Sequence, residues 1–248
     1  MDKTFSGRIS MEKLGEGKTK IVYSLPQPDQ VLLKFKDDIT ALDGAKKDKV
    51  PGKGRVNARV SAFLFRLLEE NGIPTHFISF EPPASLRVRK LKMIPVEVVC
   101  RNIATGRLVK TYPFYKQGER LRKPLVEFFL KDDLHHDPLL SEEHMKVFGL
   151  ASPREIAYMK RLTLKANRVL KAYLRKRGLR LVDFKLEFGR DSEGKLRVGD
   201  ELNQDSMRLW DLKTGASIDK DVYRKGGSLE EVASIYREGY RRIVGEEL

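Results

Sequence analysis

The stretch Leu181-Val182-Asp183-Phe184-Lys185-Leu186-Glu187-Phe188-Gly189 alternates with a period of two. In an extended strand Val182, Phe184, Leu186 and Phe188 share one face, and Asp183, Lys185 and Glu187 the other. Gly189-Arg190-Asp191-Ser192-Glu193-Gly194 reads as a hairpin turn, and Lys195–Leu202 as a returning strand that carries Asp200 and Glu201. A turn centred between Glu193 and Gly194 sets Glu187 roughly opposite Asp200. Facing carboxylates repel unless a cation lies between them. Hard oxygen donors so arranged suit Mg²⁺ carrying nucleotide phosphates. The competing reading is a solvated polar face on which Lys185 balances the acids.

Helices flank this hairpin. Ser152-Pro153-Arg154-Glu155 is a capping box with Pro at the first helical position. Ile156, Met159, Thr163, Ala166, Leu170 and Tyr173 follow as one apolar stripe, and Gly178 reads as the cap that ends it. Ser228-Leu229-Glu230-Glu231 reads as a second box, before Val232, Ile235, Tyr236, Tyr240 and Ile243. Upstream, Val56, Val60, Phe63 and Leu67 mark a helix stopped by Asn71-Gly72 and Pro74. Lys20–Tyr23, Val31–Lys36, Thr75–Phe80, Ser85–Lys90 and Ile94–Cys100 read as strands. Thr111–Leu150, rich in charge and Pro, has no clear period. Strands come in hairpins rather than alternating with helices, so the class is α+β with antiparallel sheet.

Composition bounds the function. The chain has 248 residues, of which 40% are apolar, enough for a proper core. Its apolar runs are too short to span a bilayer, and Met1–Arg8 lacks the apolar core of a signal peptide. One cysteine, Cys100, excludes an internal disulfide or a multi-cysteine zinc site, and in its apolar run it reads as a buried, inert thiol. An intracellular protein, acting in the cytoplasm without a membrane partner, is expected. Charged residues are 34%, with only five Asn and four Gln, which leans toward a heat-adapted source. The net charge of +14 fits either nucleic acid or small anionic substrates. His76, His135, His136 and His144 show no metal-ligand spacing.

Three other segments bear on chemistry. Gly15-Glu16-Gly17-Lys18-Thr19-Lys20 is not a P-loop: Glu12 stands where that motif needs Gly, and Ile21-Val22-Tyr23 continues as a strand. A Gly-rich turn between strands can still lay N–H groups over phosphates, with Lys18 and Lys20 on one face. In Pro95-Val96-Glu97-Val98-Val99-Cys100-Arg101, a β-run ends in Arg101, with Gly106-Arg107 soon after. Two guanidinium groups beside a Gly turn suit a phosphate monoester or a carboxylate. Arg208, in Asp205-Ser206-Met207-Arg208-Leu209-Trp210-Asp211, is a further anion clamp. Ordinary surface or turn roles remain open for each.

Taken together, these segments resemble the SAICAR synthetase family over roughly Leu14 to Arg242. Leu181–Gly189 agrees throughout with one family signature, and Ile94–Gly106 agrees with a second up to its final position. Gly17–Lys20, Asp43-Gly44-Ala45, Asn71–Thr75, Phe129–Asp133, His136-Asp137-Pro138 and Arg208–Asp211 add support. The resemblance implies a ligase that joins the carboxylate of carboxyaminoimidazole ribonucleotide (CAIR) to the amine of L-aspartate while ATP becomes ADP and phosphate. It implies a two-lobed α+β fold similar to kinases and ATP-grasp enzymes, with a β-rich ATP-binding lobe at 1–95, an α+β lobe at 96–248, and a homo-oligomer. The ATP phosphates fall to Gly17, Lys18, Thr19 and Lys20, and the adenine to a hinge at Met93, Ile94 and Glu97. Mg²⁺ falls to Glu187 and Asp200, and the CAIR phosphate to Arg101 and Arg208. Asp43, Arg107, Lys131 and Asp137 are expected on substrates, with Lys131 and Asp137 near the aspartate end. Lys18, Lys20, Lys185 and Asp205 are expected in catalysis.

Two positions depart from the family pattern. Arg107 stands where the second signature closes with Ser, and Asn203-Gln204 stand where Ser-Pro normally precedes Asp205. Rival classes are a nucleic-acid-binding module, which leaves the acidic hairpin unexplained, and a small-molecule kinase, which has no need of aspartate. Neither an RNP-like nor a zinc pattern supports the first.

Overall fold

The computed structural model describes residues 11–41 and 45–246, so Asp43 lies outside the described residues. The alternating stretch is the middle of a long strand, and a six-stranded antiparallel sheet is built around it. In chain order its strands are β8 (Lys92–Ile103), β9 (Arg120–Leu130), β10 (Leu139–Leu140), β11 (Leu179–Arg190), β12 (Leu196–Gly199) and β13 (Met207–Asp211). Their spatial order is β10-β9-β8-β11-β12, with β13 also on β11. The apolar face of β11 is fully buried, with α4 (Pro153–Lys176) packed against it. Ser152 and Glu155 close a reciprocal capping box at the start of α4, as the sequence predicts.

A five-stranded antiparallel sheet precedes it, ordered β1-β2-β3-β7-β6. It comprises β1 (Lys13–Glu16), β2 (Lys20–Ser24), β3 (Gln30–Phe35), β6 (Phe77–Glu81) and β7 (Ser85–Arg89). A two-stranded ribbon of β4 (Asp38–Ala41) and β5 (Lys46–Lys49) leads into α1 (Lys53–Glu70). The first sheet ends before Lys92, and β8 runs unbroken through residues 95 and 96. One apolar core continues through both sheets. Helix α6 (Leu229–Val244) packs on α1, tying the end of the chain to its first half. Ser228 caps α6 by accepting from the Glu231 N–H. The remaining helices, α2 (Arg107–Thr111), α3 (Glu142–Val147) and α5 (Asp221–Arg224), are short.

Two readings are corrected here. The unassigned middle contains the eleven-residue strand β9. Its first half is mostly exposed and holds Pro124, because β10 covers only Phe128 and Phe129 and leaves the rest as a sheet edge that tolerates proline. Glu187 pairs with Gly199, not with Asp200. Asp200 comes just past the strand with φ 59°, a left-handed conformation that breaks the alternation. No helix among the described residues is long and apolar enough to cross a membrane.

Candidate active site

A cleft of about 1120 Å³ opens between the two sheets, and the charged row of β11 forms its floor. Asp183 and Glu187 are buried, so this row does not lie on a solvated face. Strand register sets Arg101 opposite Asp183, Val99 opposite Lys185, and Glu97 opposite Glu187. The facing glutamates are bridged by an ammonium: Lys185 Nζ lies 2.6 Å from Glu97 Oε1 and 3.0 Å from Glu187 Oε1. Lys131 Nζ donates to the other Glu187 oxygen at 2.7 Å. Burial alone lowers the pKa of Lys185, but Glu187, Glu97 and Asp200 more than reverse this and raise it well above its usual value. The ammonium form is therefore fixed.

The Gly17 turn hangs over this floor from the first sheet, closed by Gly17 N–H donating to Lys20 O at 2.8 Å. Lys20 Nζ lies 3.0 Å from Asp200 Oδ1 and 2.9 Å from Glu201 Oε2. The left-handed bend at Asp200 is what turns its carboxylate toward β2. Burial works against the Asp200 charge, yet Lys20 and Lys185 hold its pKa below the carboxylate range. Lys18 reaches the opposite rim and pairs with Asp133 at 2.5 Å. Thr19 Oγ1 is 3.5 Å from Glu201 Oε2. Ile94 is buried, whereas Met93 is partly exposed with its thioether against Gly189 and Gly199. Of these hinge residues only Glu97 lines the cleft.

Farther along, Asp183 gathers the arginines. It accepts from Arg101 Nη1 at 3.0 Å, Arg208 Nη1 at 2.9 Å and Thr105 Oγ1 at 3.1 Å. Arg101 also pairs with Glu127 at 2.5 Å, and Arg208 with Asp221 at 3.0 Å. Gly106 stands at φ 56° and ψ −128°, a backbone region that residues with a Cβ rarely enter, which accounts for glycine there. Arg107, expected on substrate, instead donates to the backbone carbonyls of His136 and Asp137 and is not among the residues lining the cleft. Asp137 lines the cleft, and its Oδ1 accepts from Asp132 N–H at 2.9 Å.

Asp205, expected in catalysis, borders the cleft but is held within a buried knot. Its Oδ2 accepts from Lys53 Nζ at 2.5 Å and Asn57 Nδ2 at 2.9 Å, and its Oδ1 from the Tyr236 hydroxyl. These bonds join the start of α1 to α6. Burial opposes the Asp205 charge, but Lys53 and Lys220 hold its pKa low. Cys100 is buried on the core side of β8, and its pKa is pushed up to about 12 by burial, as expected of an inert thiol.

Sequence reasoning missed Lys220, whose residue is only 8% exposed yet lines the cleft. Among the described residues no carboxylate pairs with its ammonium. Burial lowers its pKa; Asp205 and Glu201 work against this, but Lys53 and Arg224 add to the lowering, and the pKa stays below the usual lysine value. Arg101, Arg208 and Arg224 are each ion-paired, with Glu127, Asp183 and Asp221, whereas the Lys220 ammonium is not. Its only sequence signal was a lysine between two aspartates, in Asp219-Lys220-Asp221.

The other end of the cleft carries an excess of carboxylates. Four carboxylates, Glu97, Glu187, Asp200 and Glu201, meet three ammonium groups, Lys20, Lys131 and Lys185. Among the described residues no group of three or more His, Cys, Asp or Glu is arranged to hold a metal ion. Mg²⁺ needs only one or two carboxylates when substrate phosphates and water complete its shell, so hard oxygen donors at an acidic end fit it.

The SAICAR synthetase family model matches residues 13–243. The chain belongs to the SAICAR synthetase family. A phosphoribosylaminoimidazole-succinocarboxamide synthase from Sulfolobus acidocaldarius is 53% identical over 232 residues, which cover 94% of this chain and 98% of that protein. One from Pyrococcus furiosus is 45% identical over 94% of this chain and 97% of that protein. A solved SAICAR synthetase (Type-2) in complex with ADP superposes with a TM-score of 0.89 at 45% identity, over 96% of this chain and 99% of that one. The crystal structure of the Ehrlichia chaffeensis synthase gives a TM-score of 0.91 at 38% identity, over 96% of this chain and all of that one. The SAICAR synthetase fold, α+β with antiparallel sheets, is the fold described above.

Proposed function

We infer that this chain is an ATP-dependent ligase with phosphoribosylaminoimidazole-succinocarboxamide synthase activity in purine biosynthesis. The observation that carries this reading is the Asp183-Lys185-Glu187 row, placed as a cleft floor in a chain that matches the family over residues 13–243. The substrates are CAIR, L-aspartate and ATP. Residues 1–95 act as the nucleotide lobe and 96–248 as the lobe for metal and CAIR.

A carboxylate is a poor acyl donor because expelling oxide is prohibitive. A CAIR carboxylate oxygen attacks the γ-phosphorus, the bond to the β–γ bridging oxygen breaks, and ADP leaves. The aspartate amine then attacks the acyl carbon of the acyl phosphate. Phosphate departs with the bonding pair, and the nitrogen gives up a proton as the amide forms. Phosphoryl transfer of this kind needs chiefly positioning and charge neutralisation.

The residues suit those needs. The Gly17 turn with Lys18, Thr19 and Lys20 receives the ATP phosphates, and of the hinge residues Glu97 borders the adenine. Lys185, fixed as an ammonium between Glu97 and Glu187, faces the transferring group. Glu187 and Asp200 would hold Mg²⁺, which supplies neutralisation of the phosphate oxygens when bound. Arg101 and Arg208, pre-oriented by Asp183, present guanidinium edges to the CAIR phosphate. Lys220 offers this end an ammonium that no carboxylate already pairs. Lys131 and Asp137 border the aspartate.

The test is ADP release measured with each substrate withheld in turn. Release that requires both CAIR and aspartate supports the reading; indifference to aspartate would make the chain a kinase. Oxygen-18 should pass from the CAIR carboxylate into phosphate, and its absence would exclude the acyl phosphate. A homo-oligomer is part of this reading, and light scattering checks it. The cytoplasm is the compartment in which this reading places the reaction.

A further inference from the structure

Arg107 begins α2 and stands where the family pattern has Ser, yet its guanidinium points away from the cleft floor. It lies over the Phe129 ring, 5.1 Å from the centroid, at the inner end of β9. From there its fork donates to two successive carbonyls, Nη1 to Asp137 O at 2.5 Å and Nη2 to His136 O at 2.6 Å. Those two residues are themselves unusual. His136 and Asp137 both have left-handed backbones, with φ of 57° and 47°. Side chains with a Cβ rarely adopt that conformation, and two in succession need an external hold.

The segment they close is short and directed at the cleft. Asp137 N–H donates to Asp132 O at 3.0 Å and Asp132 N–H to Asp137 Oδ1 at 2.9 Å, so residues 132–137 form a closed loop. Lys131, at its root, pairs with Glu187, and Asp133, at the start of its helical turn, pairs with Lys18 of the Gly turn. The loop therefore joins the two sheets across the mouth of the cleft. Both of its partners belong to the end where the nucleotide phosphates are assigned above.

We propose that Arg107 is a positioning residue: by clamping the His136 and Asp137 carbonyls it fixes the 131–138 segment that sets Lys131 and Asp133 against Glu187 and Lys18. This rests on the reading under Proposed function for its kinetic consequence, but not for the clamp itself. A lysine cannot serve both carbonyls with a planar fork while stacking on Phe129, so the geometry calls for arginine rather than for positive charge.

The test uses the full-length enzyme with Arg107→Gln and Arg107→Lys. Amide hydrogen exchange across 132–137 should quicken about tenfold in both, with the core of β8 and β11 unchanged. The KM for ATP and that for L-aspartate should each rise about fivefold or more while that for CAIR stays within about twofold. Unchanged exchange in the loop overturns the proposal. So does a rise confined to the CAIR KM with Arg107→Lys restoring it, since that marks a direct charge contact with the CAIR phosphate. Should the wild-type protein fail to make the ligase product, the function reading falls, and the exchange measurement still decides the clamp.

Discussion

Glu97 and Glu187 stand directly opposite each other on β8 and β11, and the Lys185 ammonium lies between their carboxylates. Removing that cation leaves two partly or fully buried acids face to face. Lys185→Met should lower kcat/KM by about a thousandfold, through lost charge stabilisation at the transferring group. It should destabilise the fold by about 2 kcal/mol, less than a fully buried pair because Lys185 keeps some exposure. Steady-state kinetics beside urea melts check both, and a variant with near-normal turnover removes Lys185 from the mechanism.

Lys220 gives a prediction with opposite signs for stability and binding. An unpaired, largely buried ammonium opposes folding, so Lys220→Met should raise the stability of the ligand-free enzyme by about 1 kcal/mol. The same change should raise the KM for an anionic substrate about tenfold, because a charge-assisted contact is lost. A melting curve that moves down rather than up would show that the ammonium has a partner in the folded protein.

Asp205 separates scaffold from catalysis. Lys53, Asn57 and Tyr236 converge on its carboxylate, joining α1 and α6. Lys53→Met strands that carboxylate and should cost about 3–5 kcal/mol, whereas kcat measured on the folded fraction at low temperature stays within a few-fold of normal. A loss of kcat without loss of stability would return Asp205 to the catalytic group.

Asp219 supplies a pH dependence. It is fully buried, burial and the nearby Asp221 raise its pKa from 3.8 to about 6, and it accepts from the Leu209 and Asp221 N–H groups. Because the folded state holds this proton more tightly than the unfolded state, the contribution is full below about pH 3.8 and is lost as pH rises through about 6. A shift of that size corresponds to about 3 kcal/mol. Asp219→Asn should remove this fall, so the variant gains on the wild type between acid and neutral pH. Denaturant melts at several pH values read the difference directly.

The charged floor was readable in the sequence because a strand displays both its faces in a single nine-residue stretch. The capping box of α4 and its apolar stripe were readable for the same reason: each is local. The partner of Glu187 lies one position from where the hairpin spacing puts it, because nothing in an aspartate announces a φ of 59°. Strand β9 was hidden by a proline and charges that only a sheet edge tolerates. The convergence of Arg101 and Arg208 on Asp183 depends on a register shift between β11 and β13, and the Lys53–Asp205 pair spans 152 positions. Neither has a local pattern. Arg107 stands out in the sequence as an exception to a signature, but its carbonyl partners depend on two left-handed residues about thirty positions away.

Paired strands β8 and β11 carry reactive groups on one side and core side chains on the other. Arg101 and Asp183 pair toward the cleft, while Cys100 and Phe184 pair toward the core. Sliding either strand by one residue would push its acids and bases into the hydrophobic interior and expose its Val, Leu and Phe to water. Chemistry and folding are thus two faces of a single alignment. A chain that pairs these strands out of step does not become a weak enzyme with a sound fold, because it forfeits both at once. Insertions or deletions within either strand should accordingly be absent from any working library of variants, however readily the turn between β11 and β12 accepts them.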